Sequence, residues 1–333
     1  MSPATSPALE RLLRRRLLIV SGKGGTGKSS LVAALSRSAA RAGVRAVAVE
    51  TGPEAVLPPL LSSSPPASAF EASRTPVELD RDLYHLRIDP LETLTEYLEL
   101  QLGLRRAVRA VMANAGFQRL LDVAPGWRDL ITLGKLWYLS RLEDRGAARW
   151  PLLILDAPAT GHGLSLLTTP DAVRGTLRSG PLRKHVDGVR ELLRDTDRTR
   201  FLSVALPEEL PVSEALELAE RVAELGIRAE APVCNRSAPD APLDADRLLR
   251  ALARLDGTGA PQGWLAPDAL AAELSDWSRR SERERGQIER LSRGFGRPAL
   301  VLPDLPQPLD GPGGTLALAG AFETALAQAE PAR

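Results

Sequence analysis

The chain is expected to be an α/β protein, a doubly wound and mostly parallel sheet with a helical insertion. Three observations carry that expectation. Apolar runs at Leu17–Val20 and Leu152–Leu155, and a shorter one around Val47 and Val49, alternate with stretches in which apolar residues recur at helical spacing. A glycine-rich turn joins the first run to the first helix, and leucines across residues 91–145 fit amphipathic packing.

Taken in order, residues 1–10 are rich in Pro, Ser and Ala and read as a loose N-terminus before a single domain over 11–330. A strand from Arg16 to Ser21 stops at Gly22; Leu31, Leu35 and Ala39 then mark a helix that ends near Gly43. The strand Val44 to Glu50 completes a βαβ unit, which implies parallel pairing. Pro58 to Ser68 reads as a surface loop. Tyr84 to Ile88 is a further strand, followed by a helical subdomain over residues 91–145 to which helices within 171–195 are added. Leu152–Leu155 is apolar throughout, as in strands covered on both faces. Strands at Phe201–Leu206, Ala231–Cys234 and Ala299–Leu302 alternate with helices at Val212–Leu225, Trp264–Arg293 and Thr315–Gln328. Such folds bind ligands at the carboxyl ends of their strands.

Composition narrows the function. The 333 residues are 44% apolar and 26% charged, and 43 Lys plus Arg balance 42 Asp plus Glu. A net charge of +1 gives no global field toward nucleic acid or an anionic membrane. One cysteine, Cys234, forms no intramolecular disulfide and suits a cytoplasmic location. No apolar run approaches the roughly 18 residues of a membrane span. The three histidines, His85, His162 and His185, are not paired at metal-ligand spacing.

The decisive segment is Gly22-Lys23-Gly24-Gly25-Thr26-Gly27-Lys28-Ser29-Ser30, which fits G-x-x-x-x-G-K-[ST] between a buried strand and a helix. There, glycine amides surround phosphate oxygens at a helix N-terminus, Lys28 reaches the β- and γ-phosphates, and the Ser29 hydroxyl ligates Mg²⁺. ATP and Mg²⁺ are therefore the expected cofactors. Asp156 closes the later apolar strand and opens Asp156-Ala157-Pro158-Ala159-Thr160-Gly161-His162-Gly163-Leu164, a switch-loop candidate. Its carboxylate is placed to hold Mg²⁺ through water, and the Gly161 amide to sense a γ-phosphate.

With Lys23 at its start, the loop resembles the deviant Walker A of MinD/ParA and ArsA-type ATPases. The Asp156–Leu164 segment resembles the D-x-A-P-T-G-H-T-L of the arsenite-pump and tail-anchored-protein targeting ATPases, the ArsA-like group. That resemblance implies a P-loop ATPase acting as a homodimer or as a heterodimer with a paralogue. In such a dimer Lys23 crosses to the partner's nucleotide, its alternative being a solvated lysine. Pro125-Gly126 and Leu206–Pro211 are further points of similarity. Val233-Cys234-Asn235 resembles a strand whose asparagine reads the adenine edge, the alternative for Asn235 being a turn residue. Leu302-Pro303-Asp304 resembles the loop that closes over the base.

Departures matter as much. The family's water-orienting aspartate is replaced by Gly52 in Glu50-Thr51-Gly52-Pro53, which leaves Glu50 as the catalytic candidate and Glu54 nearby. Slow hydrolysis, or a non-catalytic nucleotide-gated adaptor, follows from that loss. A lone cysteine argues against arsenite capture, and two methionines argue against a methionine-lined groove for a hydrophobic client. The leucines of 91–145 serve either the core or a groove for an unidentified protein client. A ParA/MinD-like positioning role is the remaining alternative, although the last helix carries no Lys or Arg between Thr315 and Gln328.

Overall fold

A computed structural model describes residues 6–123, 126–238 and 267–329. Its strands, in chain order, are β1 (Leu17–Gly22), β2 (Ala46–Glu50), β3 (Val77–Asp80), β4 (Leu83–Arg87), the hairpin β5 (Glu143–Asp144) and β6 (Ala147–Ala148), β7 (Leu152–Asp156), β8 (Thr199–Ala205), β9 (Val233–Ser237) and β10 (Leu300–Pro303). Eight of them form one sheet in the order β10-β9-β8-β1-β7-β2-β4-β3. Every pairing in it is parallel except that of β3, an antiparallel edge strand on β4. The α/β fold with a doubly wound, mostly parallel sheet is therefore observed.

Period-two alternation sorts the sheet's side chains into two layers. Leu18 and Val20 of β1 join one core with α2 (Lys28–Arg41), while Leu17 and Ile19 join the other. The second layer is capped by α7 (Trp127–Arg141), α8 (Thr160–Thr176) and α9 (Pro181–Arg194). These four apolar side chains of β1 are fully buried, each contributing about 1.5–3 kcal/mol of apolar burial. Between β4 and β7 the chain makes α4 (Pro90–Leu102), α5 (Arg105–Met112), α6 (Ala115–Val123) and α7, the helical insertion that the leucine spacing predicts.

Several expectations are corrected. The segment expected to be loose up to residue 10 is helical from Pro7, as α1 (Pro7–Leu13). Ser6 Oγ accepts from the Leu9 amide at 3.2 Å, Pro7 occupies the first turn, and Leu9, Leu12 and Leu13 are buried against the first core. The proposed surface loop at 58–68 includes the end of α3 (Leu57–Leu61), where Leu57 and Leu61 are fully buried and prolines sit in the first turn. The helix expected within 171–195 begins eleven residues early, because Thr160 already opens α8. Gly161, His162 and Gly163 thus lie in a helical first turn and not in a loop.

After β8 follow α10 (Glu209–Glu224), α11 (Pro267–Phe295) and α12 (Pro312–Gln328). The first residues of the Trp264–Arg293 prediction, and Pro125, lie outside the described residues. Among the described residues no helix is long and apolar enough to cross a membrane. β1, β2, β7, β8 and β9 run the same way, so Gly22, Glu50, Asp156, Ala205 and Ser237 share one edge. The motifs of the sequence converge there.

Candidate nucleotide site

The loop after β1 is shaped by two close approaches. A Cβ on Gly22 would lie 2.1 Å from the Val204 carbonyl of β8, and one on Gly27, at φ +92°, would lie 2.3 Å from Asn235 Nδ2. Both positions therefore require glycine. Gly24 and Gly25 are exposed with open space on their side-chain faces. Thr26 is buried and its hydroxyl donates to the Lys23 carbonyl at 2.9 Å. Lys28 begins α2 and its Nζ donates to the same carbonyl at 2.9 Å, so the loop is wrapped around its own lysine. Burial holds the Lys28 ammonium below its ordinary value, with Asp156 opposing. The free amides at the start of α2, with Ser29 and Ser30 in its first turn, make an anion-binding terminus.

Asp156 ends β7 beside that terminus. Its Oδ2 accepts from Ser29 Oγ at 2.5 Å, whereas Oδ1 is buried without a partner. Burial pushes this carboxyl up to about 6, against the lowering effects of the Ser29 hydrogen bond and Lys28. A buried oxygen without a donor, next to a serine hydroxyl at a phosphate loop, fits a hard cation such as Mg²⁺. Ser29 and Asp156 are the residues that could hold it.

The other predicted residues are placed differently. Lys23 Nζ is 2.7 Å from Glu214 Oε1 of α10, an ion pair within the chain, and Glu214 Oε2 accepts from Thr160 Oγ1 at 3.1 Å. Glu50, the catalytic candidate, is buried with both oxygens occupied. Its Oε1 lies 2.6 Å from His85 Nε2, and its Oε2 accepts from the Val56 and Leu57 amides at 2.8 and 3.3 Å. Glu50 therefore braces β2, β4 and the start of α3 through both of its oxygens. Asn235 is 2% exposed and its Nδ2 donates to the Thr26 carbonyl at 2.9 Å, bracing the phosphate loop. Asn235 therefore lies in a strand and not in a turn, with its Nδ2 held by the phosphate loop. Gly161 is exposed in the first turn of α8, and Pro303 is an exposed terminus of β10. Gly52 and the exposed Glu54 follow β2.

Two arrangements went unread in the sequence. His85 gave no sign of its role because its partner Glu50 is 35 residues away on the neighbouring strand. Glu214 is one of several glutamates on an amphipathic helix, with no motif to single it out.

Residues 15–180 match the family model described as anion-transporting ATPase. The chain is 30% identical over 311 residues to ATPase BagA of Mycobacterium tuberculosis, with 90% of each chain covered. The chain belongs to the ArsA ATPase family. Similarity to other ArsA-type ATPases is lower: 25% over 278 residues to ATPase GET3B of Arabidopsis thaliana, covering 69% of this chain and 66% of that one. For the arsenical pump-driving ATPase of Acidiphilium multivorum it is 24% over 250 residues, covering 71% and 42%. As an ArsA-family ATPase the chain binds ATP. Its lone Cys234 is fully buried, and burial pushes the thiol up to about 12, so at neutral pH it offers no thiolate.

Two predictions follow from the acids. Glu50→Ala strands His85 Nε2 and two amides, and is expected to cost about 3 kcal/mol by denaturant unfolding, with Glu50→Gln milder. Asp156 has its pKa raised on folding from 3.8 to about 6, so its protonated form favours the folded chain. The contribution is complete below about pH 4 and is lost as pH rises through 6. Asp156→Asn should therefore stabilise the nucleotide-free chain at pH 7.5 by up to about 3 kcal/mol, at ~1.4 kcal/mol per unit, and so raise its melting temperature. Repeating the melts at pH 4.5 should show that gain largely gone.

Proposed function

We propose that this ATPase works as a dimer whose closure on Mg-ATP controls a protein partner at the helical insertion. The observation that carries the reading is the phosphate loop itself. Gly22 and Gly27 are forced to be glycine, Lys28 and the α2 terminus face one point, and the Asp156–Ser29 pair lies beside it. Bound Mg²⁺ would offset negative charge on the phosphate oxygens. Lys28 then exchanges the Lys23 carbonyl for phosphate oxygens, and the glycine amides orient the chain of phosphates. Lys23, first in the loop and about one third exposed, is the residue that would cross an interface to a partner's nucleotide. The partner is a second copy or a paralogue.

A second reading rests on a specific observation. The family's aspartate position is Gly52, and Glu50, the acid that ends β2, is bound to His85 and the start of α3. A slow site, or one half of a heterodimer that gates rather than turns over, follows from that arrangement. For the client, support comes from the insertion. Leu100, Leu102, Leu104 and Val123 are exposed, and α4, α7 and α9 enclose a cavity of about 120 Å³ beside Tyr97 and Tyr138. A protein partner with an apolar segment suits that surface.

Turnover tests both readings. Purified chain with Mg-ATP should release phosphate, and Lys28→Ala should reduce release at least about 100-fold by removing a charge that acts in the transition state. Equal rates would refute the assignment. Gly52 has no left-handed φ, and a Cβ there meets only the Glu54 carbonyl at 3.4 Å, so Gly52→Asp is tolerated by the backbone. If water positioning is what the site lacks, that variant should raise turnover about tenfold. An unchanged rate would count against the missing aspartate as the cause of a slow site.

A further inference from the structure

Lys23 of the phosphate loop is paired with Glu214 of α10, outside the loop. We infer that Glu214 is a positioning residue that keeps Lys23 within its own chain and ties it to the first turn of α8, so that closure must release both together. This deepens the reading of Lys23 given above and rests on it.

The two carboxylate oxygens are divided between two elements of the site. Oε1 takes the Lys23 ammonium at 2.7 Å, and Oε2 takes the Thr160 hydroxyl at 3.1 Å. Lys23 belongs to the phosphate loop and Thr160 is the first residue of α8, only four residues beyond Asp156. α10 thus joins the loop to the helix that follows the metal-holding strand. Lys23 holds the Glu214 carboxyl below its ordinary value, with the Thr160 hydrogen bond adding to this, so the anion is the form present at neutral pH.

Strength decides between a strut and a latch. Side-chain exposures of 32% and 29% leave the pair in contact with water, where a single ion pair is weak. A triphosphate carries several negative charges and offers Lys23 a better partner than one carboxylate. Once Lys23 leaves, Glu214 is an unpaired anion beside a phosphate site and is repelled from it, which frees Thr160 as well. The restraint is therefore easily broken by a full triphosphate and less easily by a diphosphate. If Glu214 served only the N-terminal dipole of α10, its loss would change stability without loosening either neighbour.

The test uses Glu214→Gln and Thr160→Val in the full chain. Without nucleotide, amide hydrogen exchange in Glu214→Gln should quicken about fivefold or more at residues 23–27 and 160–164 while β1 and α2 are unchanged. Thr160→Val should quicken only the α8 turn. With Mg-ATP, Glu214→Gln should dimerise at about fivefold lower nucleotide, by sedimentation, and should begin to dimerise with ADP. Unchanged exchange in both segments would overturn the proposal. So would weaker dimerisation resembling Lys23→Ala, since Glu214 would then belong to the closed site. A wild-type chain that neither binds Mg-ATP nor dimerises would instead overturn the proposed function, and the nucleotide-free exchange would still decide on the tether.

Discussion

Everything at the site depends on how closely the backbone of Gly22 approaches β8. β1 is the central strand between β7 and β8, and at its last residue a Cβ would strike the Val204 carbonyl. Only glycine lets the strand stay paired to that point and then turn, and that turn sets where α2 begins. A second contact of the same kind, Gly27 against Asn235, pins the other end of the loop to β9. The loop is thus clamped to the sheet at both ends and open in its middle, at Gly24 and Gly25. A phosphate cradle needs that distribution: fixed ends hold the amides in register, and a bare middle admits an anion.

The acids around this loop are each committed to a different task. Asp156 is the one with an oxygen to spare, and the burial that raises its pKa is the cost of keeping that oxygen dry. Glu50 lies beside it in register on β2 yet faces His85 and the start of α3, so one strand displacement turns a catalytic candidate into a brace. Glu214, from a third element, satisfies the lysine that would otherwise be free. None of these three acids therefore takes the place of the aspartate missing at Gly52.

The fold was legible because a covered parallel sheet demands continuous apolar runs, and Leu17–Val20 and Leu152–Leu155 have no other use. The phosphate loop was legible for a related reason: local spacing alone assembles it. Helix starts were harder. α1 looked loose because seven residues carry too little periodicity, and its stability comes from packing Leu9, Leu12 and Leu13 on a distant core. Glycines at 161 and 163 suggested a loop at α8, but Gly163 packs against the Pro158 carbonyl and Ser21 Oγ, where any side chain would collide, so small residues here serve close packing. Glu50, Asn235 and Glu214 could not be read at all from spacing. Their partners lie 35, 209 and 191 residues away.

Charge compensation gives the site its character. Lys28 is held by a carbonyl of its own loop, Lys23 by Glu214, and Ser29 by Asp156. On the proposed reading a nucleotide does not meet a bare positive pocket: Lys28 and Lys23 would exchange these internal partners for phosphate oxygens, and Ser29 and Asp156 would turn to the metal ion. Affinity is then the difference between two sets of hydrogen bonds, which makes it modest, but every exchange also releases a protein group. Lys23 releases Glu214, Glu214 releases Thr160, and α8 is joined to the helical insertion through its packing on α7 and α9. On the proposed reading the interactions that weaken binding are the same ones that would carry its effect from the phosphate site to the helical insertion.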